Sequence, residues 1–391
     1  MRILIYTHAF APMIGGVETY AMLLAQGLAQ RAEAGHGVPE VTVVTPTSAD
    51  GAGDTALPFR VVRQPRFMGL LREIRRADVV HLAGPCLLPM ALAWAVSKPV
   101  VVEHHGYQAA CPTGLLWHEP AQTVCPGHFM ARRYHKCLRC SASTAGWIRS
   151  LSSVLLTLPR RWLCGRVTRN LPIAHHVEDR LDLPRSEVIY YGIPDRSAVA
   201  DAGNAVQPES SIHSPVTFAY VGRLVVEKGL HLLVEAAGRL QETGCDFSLK
   251  FIGDGPERSR LQAGIETLGL AERVAFTGYL EGKALEAALQ NVAAVVMPSI
   301  WEETAGLAAI EQMMRGRLVI AADIGGLGEV VGEAGLKFLP RDADALASCM
   351  KRVLDEPSMV RTVGEKARVR ALRLFCQERM VHQHMTVYHE L

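Results

Sequence analysis

The stretch that decides the fold is Met297–Gly328, which reads MPSIWEETAGLAAIEQMMRGRLVIAADIGGLG. An apolar run ends at Met297, a polar loop follows, and a helical pattern begins near Gly306. A second apolar run, Leu318–Ala321, then leads into a glycine-rich turn. Strand, helix and strand in this order are typical of a parallel β-α-β unit. Ligands of such units bind beyond the carboxyl ends of the strands, so the loops after both runs are candidate binding segments.

The same alternation runs through the whole chain. Helical patterns such as Glu18–Ala32 and Gly229–Thr243 separate short β-branched runs. These runs are the predicted strands: Ile3–Tyr6, Val41–Val44, Val79–Leu82, Val100–Val102, Thr217–Val221, Ser248–Ile252, Val274–Thr277, Val292–Met297 and Leu318–Ala321. The pattern predicts an α/β protein with two doubly wound parallel sheets.

A break in this pattern divides the chain. Residues 198–214 (AVADAGNAVQPESSIHS) lack an apolar period and predict a linker. We therefore expect an N-terminal Rossmann-like domain over 1–197, a second domain over 215–372 and a C-terminal helix over 373–391.

Composition excludes several classes of protein. The 391 residues are 49% apolar and 20% charged, which rules out a disordered chain. Lys plus Arg is 41 and Asp plus Glu is 39, so the net charge of +2 predicts no nucleic-acid partner. The start, MRILIYTHAF, lacks the apolar core of a signal peptide, which favours a cytoplasmic protein.

Two cations follow a predicted strand of the second half. Arg223 and Lys228 lie five positions apart in GRLVVEKG, beside a helix start. A fork-shaped and a point cation in this arrangement can grip a diphosphate. The next strand leads into Gly253-Asp254-Gly255, which on its own indicates no more than a capped turn.

Two glutamates follow a later strand. If a helix begins near Gly306, Glu311 lies on it and Glu303 lies in the preceding loop. Carboxylates accept hydrogen bonds from vicinal hydroxyls, so the pair suits ribose and sugar rings. Further on, the N–H groups of Gly325 and Gly326 could cradle a phosphate or a sugar hydroxyl. A solvated glutamate pair and a flexible loop remain the alternative.

These motifs together resemble a known family. GRLVVEKG, GDGP, PSIWEETAGLAAIE and ADIGGLGE, in this order, are similar to the donor half of retaining glycosyltransferases of family 4, the group 1 type. In the first half, PMIGGVETY, DVVHLAGP and VVEHHG resemble the acceptor-side motifs of the same family. The resemblance implies the GT-B fold, in which two Rossmann-like domains face each other.

On the donor side, the resemblance implies a function for each matching position. Arg223 and Lys228 would bind the diphosphate. Glu311 would bind the ribose hydroxyls, and Glu303 would lie at the transferred sugar as a catalytic residue. The sequence differs from the E-x-F-G-L pattern of the family at Thr304-Ala305, where a Phe is more common. The resemblance therefore does not define the shape of the sugar pocket.

On the acceptor side, the resemblance implies that His105 faces the donor sugar as a second catalytic residue. His104 precedes it and points to the opposite side if the strand continues. Gly15 and Gly16 match the loop that approaches the donor phosphates.

The resemblance also implies a reaction. A hexose would pass from a UDP- or GDP-linked sugar, with retention, to a glycan or lipid-linked acceptor in polysaccharide or glycolipid synthesis. Catalysis would require no cofactor and no metal, since cations and helix N-termini stabilise the leaving phosphate. The Asp342-x-Asp344 pair precedes a helical pattern and indicates an N-cap. The alternative function is a non-catalytic nucleotide-sugar or zinc-dependent binding protein.

Cysteines cluster in an apparent insertion at about 107–170. Cys137 and Cys140 form a C-x-x-C, and Cys111 and Cys125 precede them. Four thiolates can hold a structural zinc ion, with His128 and His135 as substitutes. Free or redox-active thiols remain the alternative, because the spacing of Cys111 and Cys125 is outside the usual range of a zinc knuckle.

The same insertion is strongly basic. Nine basic residues and no acidic one lie between Pro120 and Val177, and Trp147 and Trp162 belong to an apolar helical pattern among them. Such a segment suits an anionic membrane surface, which would make the protein peripheral at the inner face of the membrane. The alternative to membrane binding is a helix that packs on the domain and has a solvated basic rim.

Overall fold

The computed structural model describes residues 1–13, 15–31, 38–48, 53–195 and 215–391. The predicted linker at 198–214 lies outside these residues. Contacts within the chain define two units. The first is Met1–Pro194 together with Phe375–Leu391, and the second is Asp195–Leu374.

A six-stranded parallel sheet, in the order β3-β2-β1-β4-β5-β8, forms the centre of the first unit. Its strands are β1 Arg2–Thr7, β2 Glu40–Thr45, β3 Arg60–Arg63, β4 Val79–Ala83, β5 Val100–His104 and β8 Arg169–Pro172. Its helices are α1 Gly16–Gln30, α2 Phe67–Arg76, α3 Leu87–Ala95, α4 Tyr134–Ala145, α5 Trp147–Cys164, α6 His175–Leu181 and α14 Gln377–His389. Every residue of β4 and β5 is buried, as expected for central strands covered on both faces.

The cysteine-rich insertion lies between β5 and β8, which are neighbours in the sheet. It contains a small antiparallel hairpin of β6 Trp117–His118 and β7 Thr123–Val124, followed by helices α4 and α5. The sheet therefore continues from β5 to β8 across the insertion.

The second unit repeats the same architecture, with the strand order β11-β10-β9-β12-β13-β14. Its strands are β9 Val216–Val221, β10 Phe247–Ile252, β11 Val274–Gly278, β12 Val292–Met297, β13 Leu318–Ala322 and β14 Leu336–Phe338. Its helices are α7 Leu230–Glu242, α8 Arg258–Thr267, α9 Gly282–Leu289, α10 Leu307–Met314, α11 Gly325–Val331, α12 Ala343–Asp355 and α13 Ser358–Leu374. β9 and β12 are parallel neighbours, so their carboxyl ends meet at one edge.

All nine predicted strands are confirmed, and three strands of the large sheets were missed. The missed strands β3, β8 and β14 are edge strands with the sequences RVVR, RNLP and LKF. Edge strands are short and carry charges or proline, so they lack the apolar signal of central strands.

The C-terminal segment also differs from the prediction. The expected helix over 373–391 is in fact the end of α13, which stops at Leu374, followed by a separate helix, α14. Phe375–Leu391 belongs to the first unit. The side chain of Gln377 on α14 donates to the Leu23 carbonyl of α1 at 2.7 Å. The chain therefore returns to the unit in which it started.

Across the described residues, we find no helix of the length and apolarity that crossing a membrane requires.

Candidate active site

An ion pair joins two of the predicted donor motifs in the second unit. Lys228 Nζ lies 2.9 Å from Glu303 Oε2, and both side chains are largely buried. Lys228 follows β9 and Glu303 follows β12, so the pair arises where these neighbouring strands end. The ammonium group also lies 5.8 Å from the Trp301 ring centroid. Two motifs that are 75 residues apart in sequence thus form one charged site.

The two loops of this site are fixed by further contacts. The Ser299 hydroxyl donates to Glu303 Oε1, and the Ile300 N–H donates to the Glu227 carbonyl at 3.1 Å. Gly229 has φ +64°, and a Cβ atom there would lie 2.1 Å from the Pro298 carbonyl oxygen. No other residue type would allow this approach without a backbone shift. The cation and the carboxylate are therefore held in place before any ligand binds.

The predicted positions of the two glutamates are confirmed. Helix α10 begins at Leu307 with Gly306 as its N-cap, so Glu311 lies on the helix and Glu303 in the loop before it. Glu311 is partly buried, and its carbonyl accepts from the Arg315 guanidinium at 2.9 Å. Arg223 is exposed, with its carbonyl accepting from the Tyr220 hydroxyl at 2.8 Å.

The glycine-rich turn has a different structural role from the one we expected. The N–H of Gly326 donates to the Glu303 carbonyl at 2.6 Å, so this N–H does not point to a ligand. A Cβ atom on Gly326 would lie 2.1 Å from the Thr304 carbonyl oxygen. The turn therefore packs against the backbone of the loop that carries Glu303. For Gly326, the prediction of a phosphate-cradling N–H is wrong, because the loop uses that donor.

The Asp342-x-Asp344 pair is an N-cap, as predicted. The Asp342 carboxylate accepts from the Ala345 N–H at 2.8 Å at the start of α12. Asp344 pairs with Arg239 at 2.5 Å. Both carboxylates thus have structural partners.

In the first unit, the two histidines at the end of β5 point in opposite directions, as predicted. His104 Nε2 lies 2.9 Å from Asn170 Oδ1. His105 Nδ1 lies 2.7 Å from the Tyr191 hydroxyl, and its ring stacks on Tyr191 at 5.5 Å. The His105 side chain is only 3% exposed, and burial lowers its pKa well below the usual value. His105 is therefore a neutral ring in this unit.

The other predicted residues of this unit lie at the start of α1. Gly15 is the N-cap in an extended conformation, and Gly16 is the first helical residue. The Glu18 carboxylate lies over Gly15, where Oε2 would be 2.3 Å from a Cβ atom. An acidic group thus occupies the positive end of the helix.

A buried polar network that sequence analysis missed surrounds His105. Glu103 Oε2 lies 3.6 Å from His105 Nε2 and 3.3 Å from His81 Nε2. Two residues of α14 extend the network. The Tyr388 hydroxyl lies 2.9 Å from His81 Nδ1, and His384 Nε2 lies 2.9 Å from the Tyr20 hydroxyl. All five of these residues are buried. The network joins α1, β4, β5 and α14 within the first unit.

Burial determines the protonation of this network. It raises the pKa of Glu103 to about 8 and lowers the pKa of His81 to about 3 and that of His384 to about 4. His384 Nδ1 lies 2.8 Å from the Met380 carbonyl, which can only accept, so Nδ1 carries the proton. Near neutral pH the titratable groups of this network are therefore mainly uncharged.

His81, Glu103 and His384 are close enough for a metal site, since their ligand atoms all lie within 4.8 Å of one another. The chemistry does not fit, however. Both ring nitrogens of His81 and of His384 already have protein partners within 3.3 Å. A metal ion would have to break these bonds in a fully buried place, so we interpret the cluster as a hydrogen-bond network.

The raised pKa of Glu103 predicts a pH-dependent stability. The unfolded chain loses this proton above pH 4.5, whereas the folded chain holds it until about pH 8. The contribution of Glu103 to stability is therefore complete below pH 4.5 and is lost as pH rises through 8, at up to about 1.4 kcal/mol per unit. The histidines have lowered pKa values, so their contribution is lost only as pH falls below 6.5.

We expect Glu103→Gln to remove this decline. Thermal melts at pH 6.5 to 8.5 should show the wild-type melting temperature falling relative to that of the variant as pH rises, because Gln resembles the protonated carboxyl and cannot ionise. Glu187→Gln, at an exposed glutamate of the same unit, serves as the control and should keep a constant difference from wild type. A constant difference for Glu103→Gln as well would contradict the raised pKa.

The four clustered cysteines share one buried region of the insertion. Each is 7–8% exposed, and Cys140 Sγ accepts from the Glu119 N–H at 3.4 Å. Burial and the three neighbouring thiols raise the pKa of Cys137 to about 12. Among the described residues, only His81, Glu103 and His384 form a group whose ligand atoms all lie within 4.8 Å of one another. The four sulfur atoms are therefore neighbours but are not all as close together as that.

Two family models match the chain. The model for glycosyl transferases group 1 matches residues 204–370, and the model for Glycosyltransferase Family 4 matches residues 14–196. The two matches follow one another along the chain, and each falls mainly on one of the two units.

Individual proteins are similar over different lengths. A 2-deoxystreptamine glucosyltransferase of Streptomyces kanamyceticus is 38% identical over 143 residues, which is 36% of this chain and 37% of that protein. The chain thus matches about a third of this relative's length. A 2-deoxystreptamine N-acetyl-D-glucosaminyltransferase of Streptomyces fradiae is 27% identical over 366 residues, covering 85% of this chain and 80% of that one.

Solved structures share the whole fold. Alr3699/HepE of Anabaena, solved in complex with UDP, has a TM-score of 0.70 and covers 100% of both chains. Its sequence is 17% identical, so the likeness concerns the fold. The predicted two-domain architecture of parallel sheets is confirmed.

Proposed function

The chain belongs to the group 1 glycosyltransferases of GT-B fold, and on this premise we propose that it transfers a hexose, with retention, from a nucleoside diphosphate sugar. The observation that carries the proposal is the ion pair of Lys228 and Glu303 at 2.9 Å. UDP-linked and GDP-linked sugars are the proposed donors. The Anabaena protein of the same fold is solved with UDP and with UDP-glucose, which supports the first of them.

The barrier of this reaction lies in the charge that develops on the leaving diphosphate. Preorganised cations stabilise such charge because they need not reorganise during the reaction. Lys228 meets this requirement, since Glu303 and the packed loops hold it. Arg223, exposed five residues earlier, would supply a second, fork-shaped contact. Departure and attack on the same sugar face would retain the configuration.

The remaining roles follow the family resemblance. We propose that Glu303 is catalytic at the transferred sugar and that Glu311 binds the ribose hydroxyls. Gly325 and Gly326 support the Glu303 loop at the donor site. In the first unit, His105 would act as a neutral hydrogen-bonding group, held by Tyr191.

The proposed acceptor is a glycan or a lipid-linked sugar in polysaccharide or glycolipid synthesis. A panel of UDP-, GDP- and ADP-sugars, scored by thermal shift and slow donor hydrolysis, would identify the donor. The anomeric proton coupling of the product measures retention. A chain that binds a donor without hydrolysing or transferring it would instead be a non-catalytic nucleotide-sugar binding protein.

We propose that catalysis needs no metal and that a zinc ion, if bound, has a structural role at Cys111, Cys125, Cys137 and Cys140. The four thiols are buried in one region, which supports the assignment. A bound ion would draw the sulfurs together and lower the thiol pKa values.

We therefore expect about one equivalent of zinc in the purified protein. Cys137→Ser should release it and lower the melting temperature, because metal-binding energy is folding energy. Cys86→Ser, in the same unit but outside the cluster, is the control. EDTA should leave transfer unchanged. Metal-free protein with four titratable thiols in this region would contradict the zinc site.

A further inference from the structure

Helix α5 turns its apolar side away from the protein. At about 100° per residue, six large apolar side chains fall within a stripe about 100° wide. They are 43–87% exposed: Trp147, Ile148, Leu151, Leu155, Leu158 and Trp162. A helix of a globular unit normally turns such a stripe to the core. We call these six residues the α5 stripe.

The side of α5 that faces the unit is small and polar. Ser150, Val154, Thr157 and Cys164 are buried there, and Leu163 is buried near the end of the helix. The Ser150 and Thr157 hydroxyls donate to carbonyls of their own helix at 2.8 Å, which satisfies them without solvent. The amphipathic pattern of the helix is therefore inverted, and the α5 stripe needs an apolar partner.

The segment of sequence that contains the α5 stripe carries charges of one sign. Residues 120–177 contain nine basic and no acidic side chains. Six of the basic residues are exposed: Arg132, Arg133, Lys136, Arg139, Arg149 and Arg166. The Arg166 guanidinium stacks on the Trp162 ring at 3.8 Å. The partner should therefore combine an apolar region with negatively charged groups.

Two arginines of α5 have another role. Arg160 donates to the Gln108 carbonyl at 3.4 Å, and Arg161 donates to the Leu181 carbonyl at 2.8 Å. Both are partly buried. They hold α5 on the first unit, so they are not suitable sites for testing surface charge.

We propose that the α5 stripe and its basic rim dock on an anionic lipid bilayer, with the stripe in the interface and the arginines at the headgroups. This rests on the proposed function and deepens it, because it makes the acceptor a lipid-linked sugar. Tryptophan at both ends of the stripe suits the boundary between headgroups and acyl chains. A second copy of the chain would bring two basic surfaces together, which like-charge repulsion opposes.

A cavity of about 340 Å³ lies beside the stripe. Apolar and aromatic side chains line it together with two arginines: Phe129, Met130, Tyr134, Leu158, Trp162, Arg132 and Arg161. An aromatic wall beside the exposed Arg132 guanidinium suits a lipid phosphate and the start of its chain. The cavity would thus place a lipid-linked acceptor at the docked surface.

Vesicle co-sedimentation of the full chain tests the proposal. We expect binding to phosphatidylglycerol-containing vesicles that weakens as salt rises, and little binding to pure phosphatidylcholine. Replacing Arg132, Arg133 and Arg149 by Gln should weaken binding about a hundredfold, at about fivefold per residue. Leu151→Glu with Leu155→Glu should abolish it. Met68→Glu, at a residue of α2 that is 63% exposed, is the control and should bind like wild type.

The outcomes are distinct. Donor hydrolysis should be unchanged in every variant, and its absence in wild type would count against the proposed function instead of the docking. Wild-type protein that ignores anionic vesicles at low salt overturns the proposal. Self-association that Leu151→Glu with Leu155→Glu removes, without vesicle binding, would make the stripe an interface between copies. The arginine variant keeps the test valid if the glutamate variant fails to fold, as judged by its melting temperature.

Discussion

Lys228→Ala should lower sugar transfer about 10²–10³-fold. A charge-assisted contact to phosphate contributes about 1.5–3 kcal/mol to binding, and a preorganised charge contributes more as the leaving group develops. Steady-state kinetics with the donor that the panel identifies would measure kcat and kcat/KM separately. We expect kcat to fall more than donor affinity, because Lys228 acts mainly on charge that is absent from the ground state.

The variant also removes the partner of a buried carboxylate. Glu303 would be left unpaired, which destabilises the second unit. Lys228→Met combined with Glu303→Gln removes both charges, so its melting temperature shows how much of the destabilisation comes from the unpaired carboxylate. Transfer is not compared in this double variant, because Glu303 is itself proposed to be catalytic. Lys283→Ala, at an exposed lysine on α9, deletes the same charge elsewhere in the unit and should leave turnover unchanged. Near-normal transfer by Lys228→Ala would remove Lys228 from the donor site.

The central part of the fold could be predicted from the sequence because of where apolar residues are buried. Strands such as β12 and β13 are buried throughout, so their sequences are continuous apolar runs between turns. The edge strands gave no such signal. In β3, the sequence RVVR has only two apolar residues between two arginines, and its pairing with β2 depends on the tertiary structure.

Part of the candidate site could also be predicted from the sequence. Motif spacing placed Lys228 and Glu303 in loops at strand ends, and neighbouring strands then bring the loops together. The buried network could not be found this way. His81, Glu103 and His384 are separated by up to 303 positions, and a single polar residue in an apolar run has many explanations. Glu103 inside the buried strand β5 was the one local signal, since carboxylates are rarely buried without partners.

The loop that carries Glu303 depends on a residue that touches no charge. Gly326 lies so close to this loop that its N–H donates to the Glu303 carbonyl. The nearest atoms to a Cβ there are Thr304 O at 2.1 Å and Thr304 C at 2.6 Å. These are backbone atoms, which cannot rotate away as a flexible side chain would. A methyl group must therefore displace the loop or the start of α11.

We expect Gly326→Ala to destabilise the protein by about 1–3 kcal/mol, the usual cost of overpacking. Transfer should fall at least as strongly as in Lys228→Ala, because Glu303 moves and Lys228 loses its fixed partner. The backbone N–H remains in the variant, so a loss cannot come from a missing phosphate donor. Melting curves and steady-state kinetics on the same preparation measure both effects.

Gly264→Ala is the matched control within the second unit. Gly264 lies in helix α8, and a Cβ there would meet Val234 Cγ1 at 3.7 Å, an ordinary contact. Alanine is the better helix former by up to about 1 kcal/mol, so this variant should be as stable as wild type or more so. If Gly326→Ala behaves like Gly264→Ala in both stability and turnover, the close packing of the turn on the Glu303 loop does not hold the active site. If it loses turnover while remaining stable, displacement of Glu303 alone accounts for the effect.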